Sequence, residues 1–322
     1  SFFPLVQASF VKEAMAAKTT SCFTFLKEAL VLPTRNPKLF TPVLLLLAIT
    51  PFLTSSVQVL FVQPLTGDMS SLLFEMAKVD PSSSEYAKIL EEIKQDAVKL
   101  VLIVTAELIV TLVLAFVNQI IAFFAASTTY SGDRYTLAEL IREISKWSAL
   151  RGPFITLAVV TALDVAWMAV LGALLSVVMR GGRVLSVQGL VFVLGFIAFL
   201  YFTILALVSV AASVVDEEYR GVRALRQAWR LMTRVKRKEG LVLVLVAHLL
   251  PTVVTPLYGV ALLYAKKSMV VCLGMLAVYA FLAGAQQVFY LGAATVYYYE
   301  AMESKEVSPS GYSKIPSGEG NV

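Results

Sequence analysis

Six long apolar runs divide the chain, at about residues 39 to 62, 100 to 126, 154 to 179, 184 to 215, 241 to 265 and 268 to 299, and none holds a Lys or Arg in its interior. Crossing the roughly 30 Å hydrocarbon layer takes about 20 residues as a helix, so each run is long enough to span a bilayer. The pattern predicts an all-α polytopic membrane protein with six transmembrane helices. The third and fourth runs are joined by Arg180, Gly181, Gly182 and Arg183, and the fifth and sixth by Lys266 and Lys267, so both pairs read as tight hairpins. Residues 1–38 form a segment with an amphipathic helix ahead of the first span. Residues 300–322 are polar and rich in Ser, Gly and Pro, which predicts a disordered tail.

The runs also repeat. The ends of the second, fourth and sixth read AASTTY (125–130), AASVVD (211–216) and AATVYY (293–298), starting 86 and 82 residues apart. A helix-compatible stretch precedes each odd run: FLKEALVLPTRNP, LIREISKWSALRGP and ALRQAWRLMTRVKRKEG. Two features in one phase point to three units, each an amphipathic helix followed by two spans. Small residues near helix ends are common in membrane proteins, and chance similarity is the competing explanation.

The third of these stretches is the most basic. Eight of the chain's 27 Lys and Arg lie in 216–240. At 100° per residue, Arg220, Arg223, Arg226, Arg230, Arg234 and Arg237 fall within about a third of one helix circumference. Ala224, Leu225, Ala228, Trp229, Leu231, Met232 and Val235 take the other side. Asp216, Glu217 and Glu218 are expected at the helix start, where acidic groups oppose the dipole. Such a helix lies in the interface with its guanidinium groups on anionic phosphates, or docks under the bundle. A plainer role is to enforce topology alone. In the second unit, Thr136 to Glu139 has the capping-box pattern, and Leu137, Leu140, Ile141, Ile144 and Trp147 follow with helical spacing. Gly152 and Pro153 should break that helix before the third span, as Pro33 and Pro37 should before the first.

Composition agrees with the pattern: 58% of the residues are hydrophobic, only 15% charged, and the mean hydropathy is +0.78. Nineteen Lys and Arg lie on the side that holds both termini, against eight opposite, so both termini should be cytosolic, in an endomembrane or the plasma membrane. The loop 63–99 then faces away from the cytosol, its seven carboxylates outnumbering its four lysines. Cys22 and Cys272 are poorly placed for a disulfide, and Cys22 beside the membrane is either a palmitoylation candidate or an unmodified thiol.

The run VAASVVDEEYRGVRALRQAWRLM resembles the integral-membrane domain found beside some bacterial glycerophosphodiester phosphodiesterases, and a broad set of six-span proteins that includes plant ones. FLKEALVLPTRNPKLFTPVLLLL and AATVYYYEAM fit the same pattern. The resemblance implies fold and topology. The phosphodiesterase chemistry of that family belongs to a separate soluble barrel that is absent here, so no enzymatic activity is implied.

The absence of catalytic motifs from the sequence points the same way. HExxH, CxxC, GxSxG and GxxxxGK[ST] do not occur, and His248 is the single histidine. We expect no catalytic residue, metal site, cofactor or nucleic-acid partner. Polar residues inside spans are functional candidates. Glu107 lies about 10 Å from the outer end of the second span and Asp164 near the middle of the third. The two are candidates to share a cavity. Glu107, Thr111 and Asn118 project onto nearly one face, which should turn toward protein, and His248 and Asn118 should lie at similar depth. Pro251 and Pro256 should kink or break the fifth span, and Gln286 with Gln287 adds hydrogen-bonding capacity to the sixth. These residues either line a proton- or cation-linked path or serve as interhelical hydrogen bonds. Ser308 before Pro309, and YSKI at 312–315, match loose phosphorylation and sorting patterns. The expectation that results is a non-enzymatic protein that organises lipids of the anionic cytosolic leaflet, or an unidentified protein partner. The alternative is a small-molecule or ion transporter using the intramembrane carboxylates.

Overall fold

The computed structural model of the chain describes residues 23–145, 147–181, 187–216 and 218–307. Helices account for nearly all of them. In chain order these are α1 (Thr24–Arg35), α2 (Pro37–Met76), α3 (Ser84–Tyr130), α4 (Leu137–Ile144), α5 (Trp147–Gly181), α6 (Val187–Val215), α7 (Val222–Arg230), α8 (Arg237–Ala265) and α9 (Met269–Val307). Six of them, α2, α3, α5, α6, α8 and α9, are long and apolar enough to cross a membrane, which makes this an integral, all-α polytopic membrane protein.

The ends of these helices depart from the sequence expectation in physically explicable ways. At 1.5 Å per residue the 40 residues of α2 and the 47 of α3 run for roughly 60 and 70 Å, about twice the hydrocarbon thickness. The segment expected to be a loop at 63–99 is therefore largely a helical hairpin continuing both spans. Its turn is held by Asp80, whose carboxylate accepts from Ser82 N–H and Ser82 Oγ at 2.9 and 2.8 Å, and α3 is capped by Ser83. The Ser82 N–H, then its hydroxyl, hold the Asp80 carboxyl below its ordinary value. The helix of the last span likewise runs on to Val307, into the predicted tail. The tight turn at Lys266 and Lys267 is present, whereas Gly182 and Arg183 of the other predicted hairpin turn lie outside the described residues.

Gly152 and Pro153 do not end a helix. They lie within α5, and the chain turns earlier, at Ser145. The glycine serves close packing: a methyl group there would meet Ser213 O at 3.2 Å. Pro251 and Pro256 are accommodated inside a continuous α8, with Thr255 Oγ1 donating to Pro251 O at 2.8 Å. Ahead of α2 the break falls at Asn36, with Pro37 at the first helical position, where its missing N–H costs nothing.

The main core sits at the end of the bundle that carries α1, α4 and α7, called here the short-helix side. The central element is α9, which packs on α1, α2, α3, α6 and α8 and is buried continuously over 291–298. Ala125, Ala126 and Ser127 of α3, Ala211, Ala212 and Ser213 of α6, and Ala293, Ala294 and Thr295 of α9 are all buried. Each of these three helices touches the other two. Small side chains let helix backbones approach closely, and in a bilayer that packing, not exclusion from water, holds helices together. Toward the opposite side fewer side chains are buried, and a second, smaller cluster of Val59, Ala261, Cys272 and Leu276 is the core there.

Candidate functional site

The basic stretch meets the bundle as two surfaces, although not as one helix. Gly221, at φ 54°, starts α7, and its N–H donates to Thr156 Oγ1 at 2.8 Å. Asp216 lies ahead of the helix and stabilises a turn by accepting from Glu218 N–H at 2.9 Å, while Glu217 lies outside the described residues. No acidic residue occupies the first turn of α7, contrary to expectation. Beyond Arg230 the chain continues as a π-helical stretch, Leu231–Val235, closed by the bond from Lys236 N–H to Leu231 O, and then breaks at Lys236. Arg220 thus precedes the helix and packs half-buried near Gly152, Arg234 lies in the π stretch, and Arg237 opens α8. The single six-arginine face expected from a uniform 100° rotation is divided, because the π stretch changes the phase and Lys236 ends it.

What remains is a docked, basic segment. Ala224, Ala228, Leu231 and Met232 are buried in the main core, with Leu225 and Val235 packed against it, and Gln227 Nε2 reaches Met302 Sδ at 3.1 Å. Trp229 stays half-exposed, edge-on to Tyr201. Arg223, Arg226, Arg230, Arg234 and Arg237 are exposed, and among the described residues none has a carboxylate within ion-pair distance. The break itself is clamped by α9: Tyr297 OH donates to Lys236 O at 3.1 Å, and Lys236 Nζ pairs with Glu300 at 2.7 Å. In α4 the capping box is present, with Thr136 N–H donating to Glu139 at 2.8 Å, and Leu140 and Ile144 buried. Ile141 is exposed.

Inside the spans, Glu107, Thr111 and Asn118 do share a face, and it turns toward α2. Gln58 Nε2 donates to both Glu107 oxygens at 3.2 and 3.3 Å, Thr54 and Thr111 hydroxyls are 3.3 Å apart, and Asn118 Nδ2 donates to Thr50 Oγ1 at 2.9 Å and Leu46 O at 3.1 Å. This antiparallel ladder is an interhelical hydrogen-bond seam. Its α2 half escaped sequence reading, although Thr50, Thr54 and Gln58 recur every four residues and so carried a helical signal. Glu107 and Asp164 are not brought together by any hydrogen bond among the described residues. Asp164 is half-buried, with Oδ1 shielded and unpartnered.

His248 belongs to a different place. Its Nε2 lies 2.8 Å from Leu200 O and 3.2 Å from Thr203 Oγ1, tying α8 to α6. Beside it is a cleft of about 380 Å³ lined from α2, α6, α8 and α9, including Thr255, Tyr279, Gln286, Gln287 and Tyr290. Pro51 of α2 lines it while the neighbouring Thr50 bonds Asn118, so α2 stands between the two polar sites. Among the described residues, no three His, Cys, Asp or Glu side chains are grouped to hold a metal ion.

Compared with known proteins, residues 12–303 match the model of a family described as a domain of unknown function, DUF8558, and the chain belongs to that family. No curated protein and no solved structure matches it.

Proposed function

We propose that the protein, a member of a family described only as a domain of unknown function, is a non-enzymatic six-span scaffold that gathers anionic lipid at the cytosolic face. In this reading the short-helix side is cytosolic and both termini lie there, in keeping with nineteen Lys and Arg on that side against eight on the other. The chain is three units, each an amphipathic helix and two spans. The burial of the AA[ST] ends of α3, α6 and α9, on helices that touch one another, supports that division. The observation that carries the proposal is the docked basic segment: its apolar side is buried in the core, and five arginines point outward without carboxylate partners among the described residues. An arginine near an anionic surface contributes about 1 kcal/mol. Replacing Arg223, Arg226 and Arg230 with Gln therefore costs about 3 kcal/mol, on the order of a hundredfold in affinity.

Native mass spectrometry of the chain extracted in its own lipid tests this. Anionic lipid retained by the parent and lost from the triple variant supports the scaffold. Equal retention by both contradicts it, and loss of a bound protein instead of lipid replaces the lipid with a partner protein. The unpartnered Asp164 oxygen favours a second reading, transport of a small solute or ion. For that reading, Glu107→Gln with Asp164→Asn must abolish flux in reconstituted vesicles.

A further inference from the structure

The cleft beside His248 holds hydrogen-bonding groups that the protein itself leaves unused. Among the described residues, the Gln286 and Gln287 carboxamides and the Tyr279 and Tyr290 hydroxyls make no hydrogen bond, yet all four side chains line it. His248 adds a fifth group. Leu200 O only accepts, so Nε2 donates to it, and Nδ1 makes no hydrogen bond among the described residues. Polar groups without partners at membrane depth are costly, and several on one cavity imply an occupant that supplies the missing partners.

The lining also limits what that occupant is. It contains no Asp, Glu, Lys or Arg, so a charged head would lie without a counter-charge in a low-dielectric site. All of its residues belong to membrane-crossing helices, and His248 lies eleven residues beyond Arg237, roughly 16 Å along α8. The cleft is not sealed: Thr255 is exposed and both glutamines are half-buried. A ligand therefore enters from the hydrocarbon. Ile204, Leu207 and Val254 supply an apolar wall for a chain. About 380 Å³ is near the lower end of small-molecule sites, enough for a small head and the start of a chain.

We infer that the cleft between α2, α6, α8 and α9 binds a neutral membrane lipid through a hydroxyl- or carbonyl-bearing head, held by Gln286, Gln287, Tyr279, Tyr290 and His248. This inference is independent of the arginine surface and stands or falls without it.

The test uses the full chain in liposomes doped with photoreactive, alkyne-tagged diacylglycerol, or with phosphatidylcholine carrying the same reactive chain. The labelled positions are mapped by mass spectrometry. Diacylglycerol is expected to label 247–255 and 279–290 in preference to phosphatidylcholine. Gln286→Leu with Gln287→Leu should cut that labelling at least about fivefold, the worth of one lost hydrogen bond. Ala283→Phe, which fills the cleft and removes no polar group, should do the same. Labelling of the exposed positions 101, 102, 108, 109 and 113 should not change and reports that the fold is intact. Equal labelling by the two lipids, or labelling that survives Ala283→Phe, overturns the inference and leaves the cleft to water.

Discussion

Among the described glycines, the tightest packing is where α9 crosses α2, at Gly284 against Ala48. A methyl group on Gly284 would lie 2.9 Å from Ala48 N and 3.0 Å from its Cα and Cβ. Carbon atoms pack best at about 3.5 to 4.0 Å, so each contact is short by roughly half an ångström or more. The atoms it meets are those of a backbone inside a helix, and they cannot swing aside as a side chain end can. Overpacking of this kind costs about 1–3 kcal/mol, and the better helix propensity of Ala returns up to about 1. Contacts this short to a helix backbone belong at the middle to upper end of that overpacking cost, so the net loss for Gly284→Ala is about 1–2 kcal/mol, a factor of roughly 5 to 30 in the folded population. Gly274 on the same helix is an internal control, since a methyl there meets nothing within 4 Å. Denaturation of both variants in mixed micelles with increasing sodium dodecyl sulfate, followed by circular dichroism, measures the difference. Gly274→Ala should unfold at or above the midpoint of the parent, and Gly284→Ala clearly below it. Coincident midpoints for the two variants refute the crossing.

Four further outcomes follow from the same geometry. Burying a β-carbon at Gly221, where φ is 54°, costs about 1–3 kcal/mol, so Gly221→Ala should lower the same unfolding midpoint. Tyr297→Phe removes the donor to Lys236 O and should cost about 1 kcal/mol, read as faster hydrogen exchange around 236–240. Asn118→Leu removes two bonds to α2 and should cost about 0.6–2 kcal/mol, the range measured for interhelical bonds in membranes, in the same micelle assay. The Thr136 N–H and then its hydroxyl hold the Glu139 carboxyl below its ordinary value of 4.5. The capping contribution to α4 is thus complete above that pH and is lost as pH falls through the lowered value. Carboxyl NMR titration should place the Glu139 midpoint below 4.5 in the parent and return it toward 4.5 in Thr136→Ala.

The span count was legible because a bilayer imposes one length and one composition on every crossing, and each of the six runs satisfies both. The capping box at Thr136 was legible because its chemistry is local. Helix ends beyond the membrane were not, since the α2–α3 hairpin is polar outside and its pattern resembles that of a loop. Gly152 and Pro153 misled because their punctuation is also what close packing on α6 requires. On α7 the arginines Arg223, Arg226 and Arg230 are exposed, whereas the expected stripe is interrupted at its ends by the positive-φ Gly221 and the π stretch. At the candidate sites, Glu107 and Asn118 stood out as polar residues in apolar runs, whereas their partners Thr50, Thr54 and Gln58 lie in a less hydrophobic run where polarity is unremarked. The cleft at His248 required knowing which four helices meet, which no periodicity encodes.

The proposed function requires the basic face of α7 to rest at the membrane interface on anionic lipid. A nitroxide at Val222, an exposed position beside that face, measures it directly by collision with oxygen and with an aqueous nickel chelate, in a chain whose two cysteines are replaced by alanine. In phosphatidylcholine vesicles containing phosphatidylserine, the label should lie at an interfacial depth, with nickel access reduced relative to phosphatidylcholine alone and restored by Arg223→Gln, Arg226→Gln and Arg230→Gln together. Full aqueous access that is unchanged by phosphatidylserine or by the arginine substitutions would contradict it.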